Sequence, residues 1–176
     1  MKTQDEYILL LKKAGCDEKV IQHCIAVRDL SLIYAKNAGA DIELVNAGAL
    51  LHDIGRSQTH SVAHGQIGAD ISRRFGISEE ICLIIERHVG AGLSAEECRE
   101  YGLVPKDCIP LSPEEKIVAH CDNLIKGTKV ISVEERLSLS SKLNPNAIKR
   151  LKKLSEEIEK FSGKNTKGTK RINREK

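Results

Sequence analysis

The chemistry this chain can do rests on histidine and aspartate. His52 and Asp53 stand together at the end of the apolar stretch ELVNAGALLHD, where the backbone leaving a helix can turn both side chains toward one point. His23 and Asp122 lie in two other apolar stretches, 29 residues before His52 and 69 after Asp53. A carboxylate inside KIVAHCDNLIKG is costly to bury unless it is paired or bound to a cation. Neutral imidazole nitrogens and carboxylate oxygens converging from separate segments would answer that cost by holding a divalent metal.

The elements that must bring these residues together read as helices almost throughout. DEYILLLKKA (5–14) is a short helix stopped by Gly15. Asp17 caps a long helix to about residue 38, ended by Gly39. Val20, Cys24, Val27, Ser31 and Tyr34 recur on it at helical spacing, with His23 beside the stripe. Asp41 caps the helix that ends in His52-Asp53, and 56–63 (RSQTHSVA) reads as a polar loop. His64 opens the next helix, and SEEICLIIERH carries His88 at its end. Ser94 and Glu97 form a capping box. Pro113 starts the helix of Asp122, and helices follow over 133–142 and 145–161. Alternating β-branched runs and Asn-Gly turns are absent, so the fold class is all-α. Residues 1–162 are expected to form one compact multi-helix bundle, and 163–176 a basic, disordered tail.

Composition narrows the function further. The net charge is +3, but 163–176 alone carries +5, leaving the body near −2 by difference. A basic nucleic-acid surface on the body is not indicated. With no Trp, two Phe and three Tyr, recognition by stacking bases on rings is disfavoured. No apolar run reaches the length of a membrane span. The N-terminus has no signal-peptide pattern, and the six cysteines form no C-x-x-C pair. They are expected to be reduced core thiols of a cytoplasmic protein.

His23, then His52-Asp53, then Asp122 resembles the H…HD…D signature of the HD superfamily, with His-Asp-Ile-Gly (52–55) matching the common form of its central doublet. Leu50, Leu51 and Arg56 fit the surrounding pattern, and the resemblance spans roughly residues 17–126. It implies a compact HD-domain bundle. His64-Gly65-Gln66-Ile67-Gly68-Ala69 is similar to the HGxxGA segment of bimetallic members, and His88 to their next ligand. Val89 stands where some of them have a second His. The resemblance then implies that His23, His52 and Asp122 hold one metal, His64 and His88 a second, and that Asp53 bridges the two. The cofactors would be one or two divalent ions: Mn, Fe, Co, Ni or Mg.

The chemistry implied is phosphoryl hydrolysis, with paired cations polarising the phosphoryl oxygen and activating water near neutral pH. His52 and Asp53 are the candidate catalytic residues, with Arg56 offering a guanidinium to substrate phosphate. The expected activity is cleavage of a phosphomonoester or phosphodiester in a small nucleotide-like substrate. Membranes are not partners, nucleic acid is disfavoured, and oligomeric state is not legible. A di-iron oxygenase and a non-catalytic nucleotide-sensing module are the alternatives on the same scaffold.

Residue by residue, plainer readings stay open. His23 alone suits a hydrogen-bonded core residue. His64 suits an exposed helix start, His88 a cation at a helix C-terminus, and Arg56 a surface charge. His60 reads as solvated, His120 as a core or supporting partner, and Lys126 as a helix end. The loop 90–113 is expected to shape one wall of the pocket.

Overall fold

The computed structural model describes residues 2–163; the basic segment read as a disordered tail lies, apart from Gly163, outside them. Nine α-helices follow one another in these residues: α1 Gln4–Ala14, α2 Glu18–Ala38, α3 Ile42–Leu51, α4 His64–Arg74, α5 Glu79–Arg87, α6 Ala95–Glu100, α7 Pro113–Asn123, α8 Val133–Leu139 and α9 Pro145–Ile158. The all-α reading holds.

The caps explain most boundaries. Asp17 and Asp41 accept backbone N–H bonds at the starts of α2 and α3, and Gly15 and Gly39 close α1 and α2 in the left-handed region. Ser94 and Glu97 form the expected reciprocal box. A second box, Thr3 with Glu6, starts α1 one residue earlier than its apolar pattern suggested.

Helix α3 is the axis of the bundle. Val45 and Ala47 through Leu51 are all buried. One side of α3 packs Ala47, Leu50 and Leu51 with α1, the first half of α2, α4 and α5. The other packs Val45 and Ala49 with the second half of α2, α7 and α9. Each fully buried Leu or Ile contributes on the order of 2 kcal/mol. Gly48 lets α5 approach: a Cβ there would stand 2.6 Å from Ile84 Cδ1.

Three segments differ from the sequence reading. The helix carrying Asp122 stops at Asn123, and the chain turns into a small hairpin of β1 (Ile125–Lys126) and β2 (Lys129–Val130). Gly127, at φ 64°, makes the reversal, and β-branched Ile125 pairs with Val130. The polar loop after Asp53 begins as a 3-10 turn, Ile54–Ser57. Helix α8 ends at Leu139, three residues early, where the Ser140 hydroxyl folds back on the Arg136 carbonyl.

Candidate metal centre

Four histidines reach one point from four elements. His23 lies in the second turn of α2, and His52 follows the last residue of α3. His64 opens α4, and His88 follows α5. Each ring has its Nδ1 against a backbone carbonyl: His23 on Gly127 at 2.8 Å, His52 on Ala49 at 2.7 Å, His64 on Ser61 at 2.6 Å and His88 on Ile85 at 2.6 Å. For His52 and His88 these acceptors are last-turn carbonyls that a helix end leaves without an intrahelical partner. A ring that donates Nδ1–H presents a lone pair at Nε2, the tautomer a metal needs.

The four Nε2 atoms face two carboxylates. Asp122 Oδ1 lies 2.9 Å from His23 Nε2 and 3.4 Å from His52 Nε2. Asp53, in the backbone bridge region at φ −98° and ψ 13°, divides its two oxygens. Its Oδ2 is 3.7 Å from both His23 and His52 Nε2. Its Oδ1 is 3.2 Å from His64 Nε2 and 3.5 Å from His88 Nε2, and those two nitrogens are 3.0 Å apart. The six side chains expected from the sequence are therefore brought together. Two groupings, His23 with His52 and Asp122, and His52 with Asp53 and His88, are each close enough to hold an ion.

Burial opposes charge on His52, Asp53, His88 and Asp122. For His52 the Asp53 carboxylate wins and holds the imidazole pKa well above its ordinary value. Burial would raise Asp53, but the His52 charge and the rings of His64 and His88 hold it well below the carboxylate range. Asp122 is likewise held low, by His23 and His52 against burial. His88 is pushed down by burial. Buried His52 Nε2 and Asp53 Oδ1 have no hydrogen-bond partner. With every Nδ1 donating, lone pairs meet lone pairs at about hydrogen-bond distance, a repulsive arrangement unless a cation or extra protons lie between them. Cis ligands on one cation with bonds of about 2.1 Å sit about 3 Å apart, so this donor set fits divalent metal.

The HD-domain family model matches residues 20–127, the stretch that contains all six of these residues. The chain belongs to the HD-domain family. It is 47% identical over 161 residues to an uncharacterised protein of Methanocaldococcus jannaschii, covering 87% of this chain and 95% of that protein. A tRNA (cytidine(56)-2'-O)-methyltransferase of Thermoplasma volcanium is 46% identical over 126 residues, 72% of this chain but 37% of that enzyme. A ribonuclease Y of Pseudothermotoga lettingae is 34% identical over 109 residues, 61% of this chain and 18% of that enzyme. This chain thus spans well under half of either named enzyme. The fold is shared with the HD domain of the L. monocytogenes phosphodiesterase PgpH, with a TM-score of 0.54 at 17% identity, covering 82% of this chain and 94% of that one.

Gly55, the glycine of the HD-domain doublet, has a steric reason. A Cβ there would stand 2.0 Å from the His64 carbonyl oxygen and 2.7 Å from the Gly68 nitrogen. Without a side chain, the turn after Asp53 presses onto the start of α4 and sets His64 against Asp53.

Two clefts open on the HD centre and share His23, Arg56 and His60. One, of about 320 Å³, also has Asp122, Val62, Val89 and Arg136 in its walls. The other, of about 280 Å³, has Asp53, Asp17, Lys19 and Gly127. Arg56 donates Nε–H to Asp53 Oδ2, so it is tied to the centre rather than being a free surface charge. The loop 90–113 supplies only Gly90, so the expected pocket wall is corrected: His60, Ser61, Val62 and His64, with Arg136 of α8, line that side. The rest of that loop pairs with itself, the Cys108 backbone with Leu93.

The remaining candidates separate cleanly. His120 is fully buried and its Nε2 lies 2.9 Å from Glu159 Oε1, the same oxygen that accepts from Tyr34 Oη at 2.7 Å. It is a core partner, as its place two residues before Asp122 implied. His60 is exposed at the cleft rim. Lys126 is exposed, with Glu135 at 3.7 Å. Arg136 was missed: VEERLSL reads as an ordinary surface helix, and nothing in it marks one arginine as facing a site 83 residues upstream.

Proposed function

We propose that this HD domain is a metal-dependent phosphohydrolase, cleaving a phosphomonoester or phosphodiester of a nucleotide-like substrate. One observation carries the reading: four imidazoles, locked by their Nδ1 bonds, aim Nε2 at two carboxylates, and Asp53 turns one oxygen to each pair of rings. His23, His52, Asp122 and Asp53 Oδ2 would hold one cation, and His64, His88 and Asp53 Oδ1 a second. The nitrogen-rich set favours Mn, Fe, Co or Ni over Mg. Bound there, divalent metal supplies an activated water and neutralises phosphoryl charge.

The chain's own residues do the rest. Carbonyls of Ala49, Ser61, Ile85 and Gly127 fix the rings, so the donor set costs little to organise when substrate arrives. Arg56 is held by Asp53 through Nε, leaving its terminal N–H groups for a phosphate oxygen in the cleft. His60, exposed at the rim, would be the candidate to give a proton to the leaving oxygen. The phosphodiesterase with this fold is known with cyclic-di-AMP bound, which supports a nucleotide substrate here. The ribonuclease Y relatives give reason to include RNA phosphodiesters among the substrates assayed.

The test joins elemental analysis to a metal-by-substrate screen of nucleotides, cyclic nucleotides and short oligoribonucleotides. The expected result is up to two divalent ions per chain and chelator-sensitive release of phosphate or nucleotide. Asp53→Ala should lose the metal and more than about 100-fold of the activity, since even residues that only support a ligand are worth 10–100-fold. Full activity in Asp53→Ala would end the proposal. So would oxygen consumption by iron-loaded protein with no hydrolysis under any metal.

A further inference from the structure

We infer that Arg136 is a specificity residue that grips a second, non-reacting phosphate of the substrate. The inference rests on the phosphohydrolase reading and narrows its substrate class. Arg136 stands on α8, a helix with no buried residue, and lines the cleft that also holds His23, Asp122 and His64. Its Nε is buried without a partner, and its guanidinium makes no hydrogen bond or ion pair among the described residues. A buried donor left open is unfavourable, so the free protein holds this group ready at a cost. Val62, Val89 and Ile125 share the cleft with His23, His60 and Asp122.

The two arginines of the cleft are not equivalent. Arg56 is bonded to Asp53 and belongs to the reacting centre. Among the described residues Arg136 has no carboxylate within ion-pair distance, those of Asp53 and Asp122 included. The charge of the reacting phosphate is already answered at the centre by Arg56 and the proposed cations. A substrate with one phosphate leaves Arg136 with nothing to neutralise, and one with a second phosphate a linkage away fills it. Scarce aromatics fit recognition through phosphate rather than base.

The thymidine dinucleotides pTpT and TpT test this, because they share the scissile linkage and differ only in the 5'-terminal phosphate. Water adds to the linking phosphorus, the P–O3' bond breaks and the leaving oxygen takes a proton. The products are two thymidine monophosphates from pTpT, and thymidine with one monophosphate from TpT. In the Mn-loaded wild type, kcat/KM should favour pTpT by about 10- to 100-fold, the worth of one charge-assisted contact. Arg136→Gln should erase that preference through KM for pTpT, leaving kcat and the TpT reaction near wild type. Arg136→Lys should keep part of it. Unchanged metal content and melting temperature in the variants exclude a folding defect. Equal handling of pTpT and TpT by the wild type, or equal losses on both in Arg136→Gln, overturns the inference. If the wild type hydrolyses neither, equilibrium binding decides. Tighter pTpT binding abolished by Arg136→Gln upholds the second-phosphate site while the phosphohydrolase reading falls, and equal binding of the two sinks the inference.

Discussion

The Nε2 atoms of His64 and His88 lie 3.0 Å apart, on rings whose Nδ1 atoms both face backbone carbonyls. Two neutral imidazoles so fixed repel at that distance, and either protons or a cation must relieve them. Protons and a bound metal would therefore compete for one set of nitrogens.

That competition sets a pH dependence. In metal-free protein the His52 pKa is raised, because the Asp53 charge outweighs burial. A raised imidazole contributes stability that is full below about pH 6.5 and is lost as pH rises through the folded value. A metal held at Nε2 would replace that proton and escape the loss. The gap in melting temperature between Mn-loaded and EDTA-treated protein should widen from about pH 6.5 upward, as read by thermal denaturation across a buffer series. A gap that narrows would contradict the assignment. Asp53 and Asp122, with lowered values, contribute stability above about pH 4 that fades only at more acid pH.

Gly55→Ala should be among the harshest single-methyl changes in this protein. Its Cβ would meet backbone atoms of His64 and Gly68, which have no rotamer to yield. A loss of more than about 2 kcal/mol is expected in denaturant unfolding. Displacing His64 should also lower bound metal, by elemental analysis. Gly102→Ala is the control: its φ of 70° strains a side chain but no atom lies within 4 Å, so about 1 kcal/mol is expected and metal content should not change.

His120→Ala should separate stability from chemistry. Removing the ring leaves Glu159 with Tyr34 alone and costs about 1–3 kcal/mol. Metal stoichiometry and hydrolysis should stay within a few-fold of wild type. Tyr34→Phe, losing one hydrogen bond, should cost about 1 kcal/mol. Metal loss in either variant would tie this cluster to the centre.

The six cysteines are all free and buried. Burial pushes Cys16 up to about 12 and Cys82 and Cys108 to about 11. Thiols held in that form are poor nucleophiles. Native protein should therefore react with a disulfide reagent at well under about one thiol per chain at pH 8, and with all six after denaturation. Fast native labelling would show that the core opens.

How much of this was legible beforehand varied with the kind of signal. Asp17, Asp41, Ser94 and Gly39 act within a few residues of themselves, so the ends of α2, α3 and α6 could be read from local chemistry. The hairpin after Asn123 could not, because Leu124, Ile125 and Lys126 suit a continuing helix. What decides is the turn at Gly127 and the use of its carbonyl by His23, 104 residues away in sequence.

The sequence by itself determined the all-α class, the helix register and which histidines and aspartates had to be accounted for. These follow from short-range propensity and from the cost of burying charge. Only the tertiary structure decided which Asp53 oxygen faces which rings, that Arg136 lines the cleft while the 90–113 loop gives it Gly90 alone, and that His120 is spent on Glu159. Each depends on packing between elements far apart in the chain, where distances of about 3 Å govern the chemistry and no local pattern records them.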